Sequence, residues 1–96
     1  MLTDNEKELI RELAIFIKKE RNAQGISRDA LAEVVNLSTR AIEEFETRFT
    51  NIGGNKLLNI LLVLNIDFNE VRAITKRLMN KELSEKIDNL GKHWNG

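Results

Sequence analysis

The sequence predicts an all-α domain organised around two short helices that are joined by a sharp turn. Three observations in residues 26–49 support this prediction. Apolar residues recur at helical spacing on both sides of a three-residue break. A serine precedes each apolar segment, where its hydroxyl can accept a hydrogen bond from the first turn of a helix. Asn36 lies in the break, and asparagine readily adopts the left-handed conformation that ends many helices.

The first helix is predicted to begin at Thr3-x-x-Glu6, a capping-box pattern, and to run to about Ala23. It ends near Gln24 and Gly25, because glycine supplies a helix stop. Its apolar residues cover more than one stripe: Leu9, Ile10, Leu13, Ala14, Ile15, Phe16 and Ile17. Two explanations are open. The helix either contacts something outside its own core or packs against the C-terminal helix.

The second helix is predicted to be capped by Ser27, with Asp29 favourably placed beside the positive end of the helix dipole. Ala32 has the small side chain that suits a point where two helices cross at close range. The predicted buried face consists of Leu31, Val34 and Val35.

The third helix is predicted to be capped by Ser38. Its inward stripe consists of Ile42, Phe45 and Phe49. The outward-facing residues are Thr39, Arg40, Glu43, Glu44 and Thr47.

Residues 50–55 are predicted to form a loop with paired glycines, and Asn55 is predicted to cap a helix over residues 56–66. This helix is apolar almost all round, and a domain this small cannot cover every face by itself. We therefore expect part of it to meet a second copy of the chain, since most soluble oligomers are symmetric homodimers. The candidate dimer contacts are Ile60, Leu62, Val63, Leu64, Ile66, Ile74 and Leu78.

The C-terminal region is predicted to be helical and to be capped near Asp67. The five-residue step from Leu78 to Leu83 breaks the apolar spacing. We expect either that Met79 bridges this gap or that the helix kinks or restarts near Asn80.

Composition narrows the function classes. Fifteen basic and fifteen acidic residues among 96 give a formal net charge of zero, so any nucleic-acid role would depend on local charge. Cysteine is absent, and the single histidine, His93, lies in the terminal segment, where it is poorly placed for catalysis. The N-terminus lacks a secretory pattern, and the longest apolar run is too short to cross a bilayer. We expect a non-enzymatic, cytoplasmic protein without a metal or cofactor.

With these residues in place, the chain resembles the phage-repressor and Cro-like (Xre-type) helix-turn-helix family over roughly residues 10–70. Two segments carry this resemblance, LAEVVNLSTRAIEEFE and KLLNILLVLNI, and they look most like those of compact regulators and HipB-like antitoxins. The resemblance implies a lambda-repressor-like domain of about five helices over residues 1–70. Residues 71–96 would be a C-terminal helical extension that packs on the domain or extends a dimer.

The resemblance also implies that the first turn of the third helix enters the major groove of DNA. Arg40 is predicted to bond a guanine, and the alternative is an ion pair with Glu43 or Glu44. Arg28 is predicted to contact a phosphate, as is the loop that follows the third helix. The candidate DNA contacts are Arg28, Ser38, Thr39, Arg40, Glu43, Glu44, Thr47, Arg48, Asn51 and Lys56.

A structural pair is implied in the same way. Family members commonly bond an arginine late in the first helix to a glutamate near the end of the third, and Arg21 and Glu46 are the matching positions. Such a pair would fix the third helix on its scaffold without touching bases.

The predicted function is sequence-specific binding of double-stranded DNA by a homodimeric transcriptional regulator, a repressor, through residues 38–49. The operator would be palindromic. The alternative is a protein-interaction module on the same scaffold, such as an antitoxin, anti-activator or adaptor that holds a toxin or an activator. Carboxylates repel a phosphate backbone unless they accept a hydrogen bond from a base or neutralise an arginine, so Glu43 and Glu44 either orient Arg40 or mark a helix adapted to a protein partner. Exposed apolar residues on the first or the C-terminal helix, in particular Ile15 and Trp94, would favour the alternative.

Overall fold

The computed structural model describes the backbone of residues 3–79 and 81–94. It describes the side chains of these residues except those at 81, 82, 84 and 92–94. Within these ranges the chain forms six helices and no strand, which confirms the all-α prediction. The helices are α1 (Asp4–Ala23), α2 (Arg28–Val35), α3 (Thr39–Arg48), α4 (Gly54–Val63), α5 (Phe68–Leu78) and α6 (Lys81–Trp94).

The first three helices begin where the sequence places them. Thr3 and Glu6 form a reciprocal capping box at the start of α1, with hydrogen bonds of 3.2 and 3.3 Å. The hydroxyls of Ser27 and Ser38 each accept a backbone N–H bond of 3.0 Å, in α2 and α3 respectively. Asn36 ends α2 in the left-handed region, at φ 58° and ψ 50°. Local sequence therefore sets the turn between α2 and α3.

The core lies where α1, α2, α3 and α4 meet. Ala32 is buried between α2 and the helices packed on it, as expected for a residue at a close helix crossing. Removal of these apolar side chains from water is the main term that holds α3 on its scaffold. The buried cluster consists of Ala14, Ile17, Leu31, Ala32, Val35, Ile42, Phe45, Ile60, Leu61, Leu64 and Ile66.

Two local expectations are wrong, and one holds only in part. Val34 is 65% exposed, because α2 turns only one narrow face toward the core and Leu31 and Val35 occupy it. Phe49 is half-buried and packs on the core, but it lies at the C-cap of α3 with φ 58°, outside the helix. Asn55 does not cap α4, since that helix begins at Gly54 and its N-cap is Gly53, which has no side-chain oxygen to accept a bond.

The predicted dimer contacts fall into three groups. Ile60, Leu64 and Ile66 are buried inside the chain, so the expectation that they meet a second copy is wrong. Periodicity could not show this, because α4 is apolar on nearly every side. Leu62 and Val63 are exposed. The other two candidates, Ile74 and Leu78, are half-buried.

The C-terminal region consists of two helices. α5 packs along α1, which agrees with the second explanation for the broad apolar surface of α1. Arg77 reinforces this packing through Glu12 at 3.3 Å, and Lys76 joins α5 to α6 through Asp88 at 3.2 Å. The break in spacing corresponds to the end of α5 at Leu78; the predicted restart residue, Asn80, lies outside the described residues. The predicted boundary between residues 70 and 71 falls inside α5.

Candidate nucleic-acid interface

The first turn of α3 is presented at the surface of the domain. Ile42 and Phe45 are buried and anchor one side of the helix in the core. Thr39 and Arg40 are exposed on the other side, at the N-terminal end. Ser38 is occupied as the N-cap, because its hydroxyl accepts the N–H of Ala41 at 3.0 Å. The end of α3 that would enter a groove is therefore open to solvent.

Arg40 is paired but accessible. Its Nε donates a 3.0 Å hydrogen bond to Glu44, the ion pair that the sequence allowed as an alternative to base contact. The Arg40 side chain is nonetheless 85% exposed. Exposed pairs of this kind contribute only a few tenths of a kcal/mol. Releasing Arg40 from Glu44 to a base would therefore cost little, and the two roles are compatible.

Arg28, the predicted phosphate contact, is bonded to the buried carboxylate of Glu46. Its Nε donates to Glu46 at 2.9 Å, and its side chain is 31% exposed. Because a guanidinium carries five N–H donors, this bond occupies only a part of its capacity. The bond to Glu46 raises the pKa of Arg28 above its ordinary value, together with the negative charges of Glu46 and Glu43, although partial desolvation opposes the rise. Arg28 keeps its charge at the start of α2.

Glu46 is the centre of a buried triad that joins α1, α2 and α3. Arg21 donates to it through Nε at 2.6 Å and Nη2 at 2.8 Å, the pair implied by the family resemblance. Arg28 supplies a third bond, and Nη1 of Arg21 donates to the carbonyl oxygen of Ile26 at 2.7 Å. Every buried side-chain nitrogen and oxygen in this group therefore has a partner, as burial of charge requires.

The protonation of Glu46 follows from these contacts. Burial disfavours the charged carboxylate and by itself would raise the pKa of Glu46. The hydrogen bonds from Arg21 and Arg28, with their positive charges, outweigh burial and hold the pKa of Glu46 below its ordinary value. Glu46 therefore remains ionised near neutral pH.

The loop after α3 contributes fewer free groups than expected. The side-chain oxygen of Asn51 accepts the N–H of Gly53 at 3.0 Å, which shapes the entry to α4. Arg48 is exposed, and the hydroxyl of Thr47 donates to the carbonyl oxygen of Glu43 in the preceding turn at 2.8 Å. Arg48 is thus the loop-side cation best able to approach a phosphate.

Lys56 makes contacts within the protein that were not predicted. Its Nζ lies 3.0 Å from the carbonyl oxygen of Val35 and 3.4 Å from that of Asn36, so it caps the C-terminus of α2. A cation at this end of a helix satisfies otherwise free carbonyls and interacts favourably with the dipole. The phosphate contact of Lys56 stays a prediction, and in the free protein its ammonium group bonds these two carbonyl oxygens. Lysine near a loop gives no sequence signal that distinguishes the two.

Two further polar contacts were not predicted from the sequence. Gln24 donates from its amide to the carbonyl oxygen of Leu64 at 2.7 Å, which satisfies the end of α4. Asp29 accepts a 2.6 Å bond from the hydroxyl of Thr39, between the first turns of α2 and α3. Neither contact has a signal in residue spacing, because each depends on how separate helices come together.

The surface around α3 carries both signs of charge. The cations Arg28 and Arg40 each bond a carboxylate, and the exposed Glu43 lies beside Arg28 in an open concavity that Lys18 also lines. No single-sign basic patch therefore covers the first turn of α3. Contacts at this surface would depend on the geometry of individual groups more than on bulk charge.

Other kinds of site find no support in the described part of the chain. The described residues contain no group of three or more histidine, cysteine, aspartate or glutamate side chains placed to hold a metal ion. The side chain of His93 lies outside the described residues. A search of the same residues for a helix long and apolar enough to cross a membrane found none.

Comparison with known proteins agrees with this geometry. The family model HTH_3, described as helix-turn-helix, matches residues 17–71, which is more than half of the chain and includes all of α2, α3 and α4. No curated protein gives a significant match. No solved structure gives one either. The chain therefore belongs to the HTH_3 helix-turn-helix family, the DNA-binding transcription regulators of the Xre and lambda-repressor type.

Proposed function

We propose that the chain is a cytoplasmic repressor that binds a palindromic operator as a homodimer and acts by occupying that DNA. The observation that carries the proposal is the exposed first turn of α3, where Thr39 and Arg40 face solvent at the end of a helix anchored by Ile42 and Phe45. A helix held in this way can place its leading side chains in a major groove.

Arg40 is the residue to which we assign base readout. Guanine presents two acceptors in the major groove, and a guanidinium can bond both at once. The exposed Arg40 side chain can exchange Glu44 for a base at little cost, as its geometry indicates.

We assign contacts with the sugar-phosphate backbone to Arg28 and Arg48. Arg28 lies at the start of α2, where backbone N–H groups also favour an anion. Arg48 lies at the end of α3 and is exposed. Contacts on both sides of the helix would fix its orientation without contributing sequence preference.

The dimer contact is assigned to the exposed part of α4. Leu62 is 74% exposed and is followed by the exposed Val63, and burial of such side chains against a second copy would remove apolar surface from water. A two-fold arrangement would present two α3 helices to major grooves separated by about 34 Å.

Selection of bound sites from a random duplex pool tests the proposal. We expect enrichment of a palindrome with half-sites about one helical turn apart. Arg40→Ala should then weaken binding to the selected site much more than binding to random DNA. The matched control is Arg72→Ala, which removes an exposed arginine on α5 and should leave both affinities unchanged. Equal loss on both DNAs with Arg40→Ala would reduce Arg40 to a phosphate contact.

The oligomeric state is tested separately by sedimentation. Leu62→Glu should shift the dimer toward monomer, because it places a charge in the apolar contact. Ile15→Glu is the control, since Ile15 is an exposed apolar residue that lines a concavity beside α3 with Thr47 and Phe49. A dimer unaffected by Leu62→Glu would contradict the assigned interface.

A second candidate function is a protein-interaction module of the antitoxin, anti-activator or adaptor type, which holds a toxin or an activator. Two observations favour it: Ile15 is 44% exposed on α1, and acidic and basic groups are mixed on the surface around α3. The side chain of Trp94, which the sequence also offered for this role, lies outside the described residues. This second function does not exclude DNA binding, and only a duplex selection that enriches no sequence would leave it as the sole function.

A further inference from the structure

The hydrogen bond between Thr39 and Asp29 connects the two helices at the surface assigned to DNA. The hydroxyl of Thr39, in the first turn of α3, lies 2.6 Å from a carboxylate oxygen of Asp29, in the first turn of α2. An ionised carboxylate can only accept, so the hydroxyl is the donor. The short distance is typical of a bond to a charged acceptor, which is stronger than a neutral one.

This bond determines which chemical group Thr39 can offer to a ligand. The hydroxyl oxygen and the methyl carbon of threonine are attached to the same Cβ, so holding one in place fixes the direction of the other. The hydroxyl hydrogen is already donated to Asp29 and is not available to an acceptor on a base. The methyl group is directed away from the carboxylate and remains on an exposed residue.

The neighbouring cation does not compete for Asp29. Arg28 directs its Nε to Glu46 at 2.9 Å, and Glu46 also receives Arg21. In the described part of the chain, Thr39 is the side chain bonded to Asp29. The buried triad therefore leaves the Asp29 carboxylate for the Thr39 hydroxyl.

We propose that Asp29 is a positioning residue that makes Thr39 recognise thymine through its methyl group. The inference rests on the proposed function, because it needs α3 in a major groove. Thymine is the base that presents a methyl group there, and apolar contact with that methyl is a direct form of readout. A hydroxyl that already donates to Asp29 cannot donate to an acceptor on a base, although its oxygen can still accept. Contact with the thymine methyl is therefore favoured over the hydrogen bonds that a free hydroxyl could donate.

The test uses the duplex that the wild-type protein selects from the random pool. Each thymine is replaced in turn by deoxyuridine, which removes the 5-methyl group and leaves base pairing unchanged. We expect about a fourfold loss of affinity at one position of each half-site, the value for burial of one methyl group. Thr39→Val should keep this ratio, since it keeps a methyl group in the same shape. Thr39→Ser should bring the ratio close to one.

Two substitutions at Asp29 separate positioning from charge. Asp29→Asn removes the negative charge but keeps an oxygen that can accept from Thr39, and it should retain the thymine-to-deoxyuridine ratio. Asp29→Ala removes the same charge and the acceptor, and it should lower the ratio toward one. A change in overall electrostatics affects both duplexes equally, so the ratio is insensitive to it.

The failure of this inference is distinct from the failure of the proposed function. Absence of any enriched duplex would overturn the proposed function and this inference with it. An enriched duplex that tolerates deoxyuridine at every position would overturn the methyl contact alone. An unchanged ratio in Asp29→Ala would overturn the positioning role of Asp29.

Discussion

The buried triad makes a quantitative prediction about stability. Glu46→Met removes the carboxylate, whose side chain is 0% exposed, and leaves the Arg21 guanidinium buried with one hydrogen bond, to the carbonyl oxygen of Ile26. Breaking a buried pair by removing one partner costs about 3–5 kcal/mol, mostly because the surviving charge loses its compensation. For a chain of 96 residues, whose total stability is expected to be about 5–14 kcal/mol, this is a large fraction.

The other two variants complete a double-mutant cycle. Arg21→Met should lower the free energy of unfolding by about 3 kcal/mol, the lower end of that range, because Glu46 keeps its bond to Arg28. The double variant, Arg21→Met with Glu46→Met, replaces the pair by apolar side chains of similar volume and should cost less than either single change. Arg28 then loses its partner, but it is already partly exposed and can be hydrated.

Urea unfolding followed by far-ultraviolet circular dichroism measures these free energies, at one fixed protein concentration because a dimer would couple stability to concentration. The exposed pair of Arg40 and Glu44 is the control, and its double-mutant cycle should give less than about 0.5 kcal/mol. Losses that add to within about 0.5 kcal/mol in the triad would refute the reasoning, since additivity is the signature of residues that do not interact.

Two further predictions concern the pH dependence of stability and the contact of Lys56 with the end of α2. The pKa of Glu46 is lowered in the folded state, so the unfolded chain binds more protons, and this contribution to stability is full above the unfolded value of about 4.3. This contribution to stability is lost as the pH falls through the folded-state pKa of Glu46. The difference in unfolding free energy between wild type and Glu46→Gln should therefore shrink as the pH is lowered from 6 into the acid range. A difference that stays constant would contradict this. Lys56→Met should destabilise the fold by about 1 kcal/mol in urea unfolding, because α2 loses its C-terminal cation. It should leave the salt dependence of DNA binding unchanged, whereas a slope lowered by about one would restore Lys56 as a phosphate contact.

Elements set by local interactions were predictable from the sequence. The caps at Thr3, Ser27 and Ser38 and the left-handed turn at Asn36 each involve residues within three positions of one another. The inward stripe of α3 followed from helical periodicity, which Ile42 and Phe45 satisfy. The sequence therefore determines where the helix pair begins, turns and presents its outer face.

Elements set by tertiary packing were not predictable in this way. At the end of α4, Leu62 and the C-cap residue Leu64 are the same residue type two positions apart, and Leu62 is exposed while Leu64 is buried. Their environments depend on which face of α4 packs against α2. The sequence of an evenly apolar helix does not indicate that face. The contacts of Lys56 and Asp29 were not predicted for the same reason. The partners of Lys56 lie 20 and 21 residues away, and the partner of Asp29 lies 10 residues away.

The pairing of charges on the α3 surface bears on how a neutral chain can discriminate among DNA sites. Arg28 and Arg40 each bond a carboxylate in the free protein, so their attraction to a phosphate backbone is partly cancelled before DNA arrives. Non-specific binding depends on that attraction almost entirely, whereas a specific site adds hydrogen bonds and apolar contacts to base edges. The carboxylates therefore subtract from both kinds of binding by a similar amount of free energy, but they leave the base-edge terms intact. A loss common to both leaves the ratio of the two affinities unchanged, so the choice of an operator among the far more numerous non-specific sites depends on the base-edge contacts alone.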